Sequence, residues 1–153
     1  MKINMSKSNK KKEEARLTKK GRSGSRQLLL QALYQYQLNG DDFDVLFSQS
    51  KQTEEFSRID QIHFKYLLQE ILKNLDKLDK ILSKHSDRPN EQLDPIERAI
   101  IWIGLIELLS DQDIPENVVI NEAIELAKTY GAQDSYQFVN GVLDAFLKEH
   151  SSK

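Results

Sequence analysis

Asp94-Pro95-Ile96-Glu97-Arg98-Ala99-Ile100-Ile101-Trp102-Ile103-Gly104-Leu105-Ile106-Glu107-Leu108-Leu109 is the stretch that decides the fold. Its first four residues form a helix start. An Asp carboxylate accepts from the amides left without partners at a helix N-terminus. Pro at the first helical position gives up nothing, and a Glu three residues after the cap suits the capping box. The run beyond, through Ala99, Ile100, Trp102, Ile103 and Ile106, is apolar nearly all round, as expected of a central helix wrapped by others. A chain organised about such a helix is a helical bundle.

Upstream, Phe64, Leu68, Ile71, Leu75, Leu78 and Leu82 step by fours and threes, which predicts one long helix ended by Arg88-Pro89-Asn90. Such a seam serves the core of a bundle or a homodimeric coiled coil, and its modest length favours the bundle. A first helix is expected from near Ser25 to Asn39-Gly40, with Leu29, Ala32, Leu33 and Tyr36 inward. A short second one follows Asp41 or Asp42 and buries Phe43, Leu46 and Phe47, and Thr53 to Ser57 reads as a loop. Downstream, one helix is expected from about Glu116 to Tyr130, stopping at Gly131. Another starts at Asp134 or Ser135 and turns Phe138, Val142, Ala145 and Phe146 inward. No segment alternates with period two. The expected architecture is all-α, a bundle of six to seven helices forming a single domain over 21–150. Two packed subdomains, about 21–88 and 89–150, make up that domain. Residues 1–20 carry too few apolar side chains to order themselves and read as a disordered basic arm.

The charge is segregated. The 153 residues have a formal net charge of -2, yet Met1 to Arg26 holds ten Lys/Arg against two Glu, and the remainder 12 against 22 Asp/Glu. A basic arm on an acidic body suits an anionic ligand for the arm and a basic protein partner for the body. A solvated tail that aids solubility accounts for the arm equally well. Cysteine is absent, which excludes disulfides, thiolate metal sites and Cys nucleophiles. No apolar run reaches the roughly 18 residues of a membrane span, and no apolar stretch follows the N-terminal charge as in a secretory signal. A reducing cytoplasm is the expected compartment.

Catalytic patterns fail in turn. His63, His85 and His150 share no metal-ligand spacing and read as surface or boundary residues. Gly21-Arg22-Ser23-Gly24 falls one residue short of a G-x-S-x-G elbow and sits in helical surroundings. Neither a P-loop nor a strand followed by G-x-G-x-x-G is present. Glu122 and Glu125, three apart, read as a solvated or partner-facing helix side. The expectation is a non-enzyme with no metal and no cofactor. A helix-turn-helix DNA reader is rejected as well: Ser110 to Pro115 is too long a turn, and Glu116, Glu122 and Glu125 on the second helix would repel phosphates.

RNA suits the basic segment better. Lys19, Lys20, Arg22 and Arg26 can neutralise phosphates, and Ser23 and Ser25 can hydrogen-bond. Single strands are bound by such charge together with aromatic faces that stack bases. Tyr34 and Tyr36 lie on the first helix; Tyr130, Tyr136 and Phe138 flank a later helix junction. Tyr36 reads as core, whereas for Tyr34, Tyr130 and Phe138 core and stacking roles both stand.

The run Val119-Ile120-Asn121-Glu122-Ala123-Ile124-Glu125-Leu126-Ala127-Lys128, with Tyr130-Gly131, Asp134-Ser135 and Phe138-Val139-Asn140-Gly141-Val142-Leu143-Asp144, closely resembles the NusB family of bacterial transcription antitermination factors. Gln31-Ala32-Leu33-Tyr34 and Ile96-Glu97-Arg98-Ala99-Ile100 look like that family too, and the likeness covers roughly Arg22 to Leu147. The resemblance implies two packed helical subdomains and a heterodimer with NusE, the small-subunit ribosomal protein. It further implies binding of single-stranded boxA RNA from ribosomal RNA operons, and assembly of an antitermination complex on RNA polymerase. By position it places Arg22, Arg26, Tyr34, Tyr130, Asp134 and Phe138 on the RNA surface, beside Lys19 and Lys20, and Glu97 against the ribosomal protein. Asp134 also suits a helix cap. Asn121, Asn140 and Gly141 are expected to be structural, as buried amides and a close helix contact. Ser23 and Gly24 stand where the family often has arginines, so RNA affinity is expected to lean more on the partner, and Gly24 to weaken the helix entrance. The same fold resembles the N-terminal RNA-binding module of ribosomal RNA cytosine methyltransferases, which is the alternative reading.

Overall fold

Asp94 caps the central helix as its sequence requires: its Oδ1 accepts from the Ile96 N–H at 2.8 Å, and Pro95 opens the helix. The computed structural model describes residues 19–110 and 113–151. The arm expected over 1–20 therefore lies outside the described residues, except for Lys19 and Lys20. Among the described residues there are seven α-helices and no strand. They are α1 (Gly21–Asn39), α2 (Phe43–Lys51), α3 (Gln61–Lys73), α4 (Leu75–His85), α5 (Pro95–Leu109), α6 (Glu116–Tyr130) and α7 (Ser135–Ser151). The expected all-α bundle of six to seven helices is what the chain forms.

The chain divides into two compact units between Leu72 and Lys73, ahead of the boundary expected near 88. The break that accompanies this division is local. Instead of one long helix, α3 ends at Lys73 and α4 begins at Leu75. Asn74 between them has left helical geometry at φ -116, ψ 21. Asn is a poor interior helix residue because its amide competes for the backbone. On each side of the break the periodic apolar residues are inward: Phe64, Leu68 and Ile71 are fully buried in the first unit, Leu78 and Leu82 in the second, and Leu75 is partly buried. A seam buried this completely is core, which disposes of the coiled-coil reading.

The first unit comprises α1, α2 and α3. Asp42 caps α2 by accepting from the Val45 N–H at 3.1 Å, and Gly40 ends α1 at φ 72, where a residue without Cβ meets no penalty. Thr53 to Ser57, expected as a loop, is mostly a 3-10 turn, Glu54–Arg58. Four phenylalanines knit this unit: Phe47 stacks on Phe43 (5.4 Å) and on Phe64 (6.2 Å), and Phe56 meets Phe47 and Phe64 edge-on at 6.0 Å each. In the second unit α5 packs against α4, α6 and α7, and every residue from Ala99 to Glu107 is buried. Asp79 of α4 clamps α5 from the side. Its carboxylate accepts from Arg98 Nη2 (2.8 Å) and Nε (3.4 Å) and from Trp102 Nε1 (2.8 Å).

Candidate nucleic-acid interface

In the first unit the candidate residues gather at the entrance of α1. Helix α1 starts at Gly21, four residues ahead of the expected Ser25, and runs straight through Gly24. Gly24 does not weaken this entrance: a Cβ there would stand 2.8 Å from Ile59 Cγ2 and 3.0 Å from the Lys19 carbonyl oxygen, so glycine lets two backbones close up. The Asp60 N–H donates to the Gly21 carbonyl at 3.0 Å, tying the entrance to the start of α3. Lys19 and Lys20 are exposed, and half of the Arg22 side chain is open to solvent, its Nε 3.5 Å from Asp60 Oδ2. The His63 backbone N–H, bonded to Asp60 Oδ1 at 3.0 Å, holds that carboxyl below the usual aspartate range against a smaller desolvation penalty. The charges of His63 and Arg22 add to the lowering.

Three neighbours lie deeper than expected. Arg26 is 3% exposed, so on this helix Arg22 is the guanidinium presented to solvent. Ser25 is fully buried and hydrogen-bonded to His63 Nδ1 at 2.7 Å, which removes it from the groups that can reach RNA. His63 itself, expected near the surface, is 3% exposed because α1 covers it. Tyr34 is half-buried further along α1. Twelve residues from Arg22, it lies ~18 Å along the axis and about 120° around it, so the two are not on one face. Tyr36, expected as core, is likewise only half-buried.

In the second unit the candidates flank the tight turn from α6 to α7. Gly131 makes that turn possible, since a Cβ there would lie 2.7 Å from Ser135 Cβ and 2.8 Å from the Ala127 carbonyl oxygen. Tyr130 is buried, Asp134 is exposed, and Phe138, expected inward, is half-exposed. Over the Phe138 ring sits the Arg88 guanidinium, 4.0 Å from the centroid, and Arg88 Nη2 lies 3.6 Å from Glu97 Oε1. Glu97 is 6% exposed, a carboxylate beneath the surface whose countercharge is Arg88. Sequence reasoning met Arg88 only as a helix end; a guanidinium stacked on a ring 50 positions away leaves no local signal. Asn121, Asn140 and Gly141 are all exposed, and a Cβ on Gly141 meets nothing within 4 Å. The expectation of buried amides and a close helix contact there is thus corrected. The periodic apolar residues Val119, Ala123, Val139 and Val142 take the inward face, leaving these three outward.

Of the other histidines, His85 Nε2 lies 3.4 Å from Glu149 Oε2, and His150 stacks on Phe146 at 5.2 Å. Among the described residues no cluster of His, Asp and Glu could hold a metal ion, and no helix is long and apolar enough to cross a membrane.

Seven helices in two units, with exposed cations at one helix entrance and an exposed arginine–aromatic stack at a helix turn, define a helical binding protein by class. Residues 23–148 match the model of the NusB family. The transcription antitermination protein NusB of Alcanivorax borkumensis is 42% identical over 132 residues, which are 86% of this chain and 88% of that one. That of Pseudoalteromonas translucida is 42% identical over 127 residues, 83% of this chain and 93% of that one. Among solved structures, T. maritima NusB superposes with a TM-score of 0.74 at 28% identity, over 83% of this chain and 90% of that one. A chain from the crystal structure of antitermination factors NusB and NusE in complex with dsRNA gives 0.68 at 27% identity, over 83% and 96%. The chain belongs to the NusB family.

Proposed function

We propose that this protein is a transcription antitermination factor. It binds the single-stranded boxA RNA of ribosomal RNA operons together with the ribosomal protein NusE and helps assemble an antitermination complex on RNA polymerase. The observation that carries the reading is its likeness, within the NusB family, to a chain solved with NusE and RNA. It acts in the cytoplasm by binding alone, without catalysis, cofactor or metal. The curated relatives favour this over the methyltransferase-module reading, because the matched region is most of their own length, 88% and 93% in the two cited.

Lys19, Lys20 and Arg22 supply phosphate contacts on the first unit, with Tyr34 as a stacking face; Asp134 and the Phe138 ring act on the second. Arg26 and Tyr130, both buried, support those surfaces from below. Glu97 reaches NusE through its effect on Arg88 and the surrounding turn rather than by direct exposure. The acidic body assists encounter with a basic ribosomal protein. The related complex holds dsRNA, whereas half-exposed aromatic rings suit unpaired bases. A duplex is therefore the control ligand.

The test is a salt titration of RNA affinity. Arg22→Ala should lower the slope of log K against log salt by about 0.7, one single-strand phosphate contact. Arg26→Ala should leave the slope unchanged and lower stability instead. An unchanged slope for Arg22→Ala removes the α1 entrance from the RNA surface.

A further inference from the structure

A second surface in the Lys73–Lys153 unit is used by none of these contacts. Helices α4 and α7 border a cavity of about 360 Å³, of the size that takes side chains of a bound segment. Its floor is apolar: Ile81 from α4, Leu109 from the end of α5 and Phe146 from α7. Its rim is cationic. Lys77, Lys80 and Lys84 fall at i, i+3 and i+7, which puts all three along one side of α4. The remainder of the chain after Arg26 has 12 basic residues against 22 acidic, so a three-lysine edge is a local reversal of sign.

One end of this rim already holds a carboxylate. Glu149 lies between Lys84 Nζ and His85 Nε2, ion-paired to Lys84 and 3.4 Å from the imidazole. Lys77 and Lys80 are exposed, and among the described residues neither pairs with a carboxylate. The groove therefore offers an apolar seat with two cations still to be matched beside a third that shows how a carboxylate fits. An apolar centre with a charged rim is the layout of a protein-binding surface.

We infer that the α4–α7 groove docks an acidic segment of a partner protein. One or two apolar side chains of that segment are seated on Ile81 and Leu109, against the edge of Phe146, and its carboxylates are set against Lys77 and Lys80. RNA fits less well. The Phe146 ring is 7% exposed and stacked by His150, so the floor itself offers little aromatic surface to a base. The chain's own N-terminal residues carry the wrong charge to fill the groove, being lysine-rich.

The experiment uses the full chain and a fluorescein-labelled twelve-residue peptide rich in Asp and Glu around a Leu-Phe pair. It is read by anisotropy and by amide chemical shifts. Shifts should concentrate on Lys77 to His85 and Phe146 to His150. Lys77→Glu with Lys80→Glu should weaken binding at least tenfold, and both positions are exposed, so folding is retained. Phe146→Leu provides a second readout, reducing affinity with the salt dependence unchanged. No groove shifts at millimolar peptide, or equal binding by the charge-reversed variant, would overturn the inference. So would tighter binding of single-stranded RNA to the same residues, or a chain that self-associates through this face in sedimentation. RNA affinity at the α1 entrance is measured on the same charge-reversed variant. Its loss there would count against the RNA reading's separate site, and its retention keeps the two questions apart.

Discussion

Asp79→Ala removes the clamp that fixes α5 against α4. Three hydrogen bonds go with the carboxylate, from Arg98 Nη2 and Nε and from Trp102 Nε1. The indole N–H is the costly loss. Trp102 is 2% exposed, and a buried donor left without an acceptor costs about 1–3 kcal/mol. Arg98, a quarter exposed, can turn to water, so its ion pair with Asp79 contributes only about 0.5–1 kcal/mol. Alanine's better helix propensity returns about 0.5 kcal/mol. The net loss is about 1–3.5 kcal/mol, or ~2–14 °C in Tm for a chain of this size. The Asn90 bond to the Asp79 carbonyl survives, because it uses the main chain. Urea unfolding followed by tryptophan fluorescence measures the effect directly, since Trp102 is the single tryptophan. Asp79→Asn, which keeps an acceptor for the indole, should lose about half as much. A loss under about 0.5 kcal/mol for Asp79→Ala, the level of an ordinary surface change, would refute the clamp.

Gly24→Ala should destabilise the protein by about 1–3 kcal/mol, since overpacking against Ile59 and the Lys19 carbonyl outweighs a propensity gain of about 1 kcal/mol. A stabilised variant in thermal unfolding would contradict the close approach. The lowered pKa of Asp60 means the folded state favours its ionised form. Its contribution is present above the ordinary aspartate value and is lost as pH falls through the depressed one. Asp60→Asn should therefore flatten the acid limb of a stability–pH profile, and an unchanged limb would show the carboxylate to be unperturbed. Glu97→Arg sets a second guanidinium beside Arg88 at a site only 6% exposed, so it should lower Tm as well as NusE binding. An unaltered Tm would show that Glu97 is not held beneath the surface.

The central helix could be read almost to the residue, because Asp94, Pro95 and Glu97 signal its start and no polar face interrupts its interior. Periodicity likewise placed Phe64 to Leu82 in the core but could not see the break at Asn74. A single off-helix residue there leaves the apolar spacing intact. Side-chain depth within a polar segment was harder. Arg22 and Arg26 stand four apart on one side of α1, so what separates them is depth: Arg22 is in the exposed first turn, while Ser25 and Arg26 lie a turn further in and are packed over. Family resemblance is what singles out Phe138, Asp134 and Glu97 as candidates. It said nothing of Arg88, whose place is set by a ring 50 positions away and a carboxylate nine away, nor of the outward turn of Asn121, Asn140 and Gly141.

The central claim is tested most directly by fluorescence anisotropy of a labelled single-stranded boxA-type RNA titrated with the full chain, alone and with NusE. The account predicts binding that tightens when NusE is present, exceeds that of a duplex or an unrelated strand, and weakens in Arg22→Ala and Phe138→Ala. Equal affinity for all three RNAs, or no binding at micromolar protein with NusE present, would contradict it.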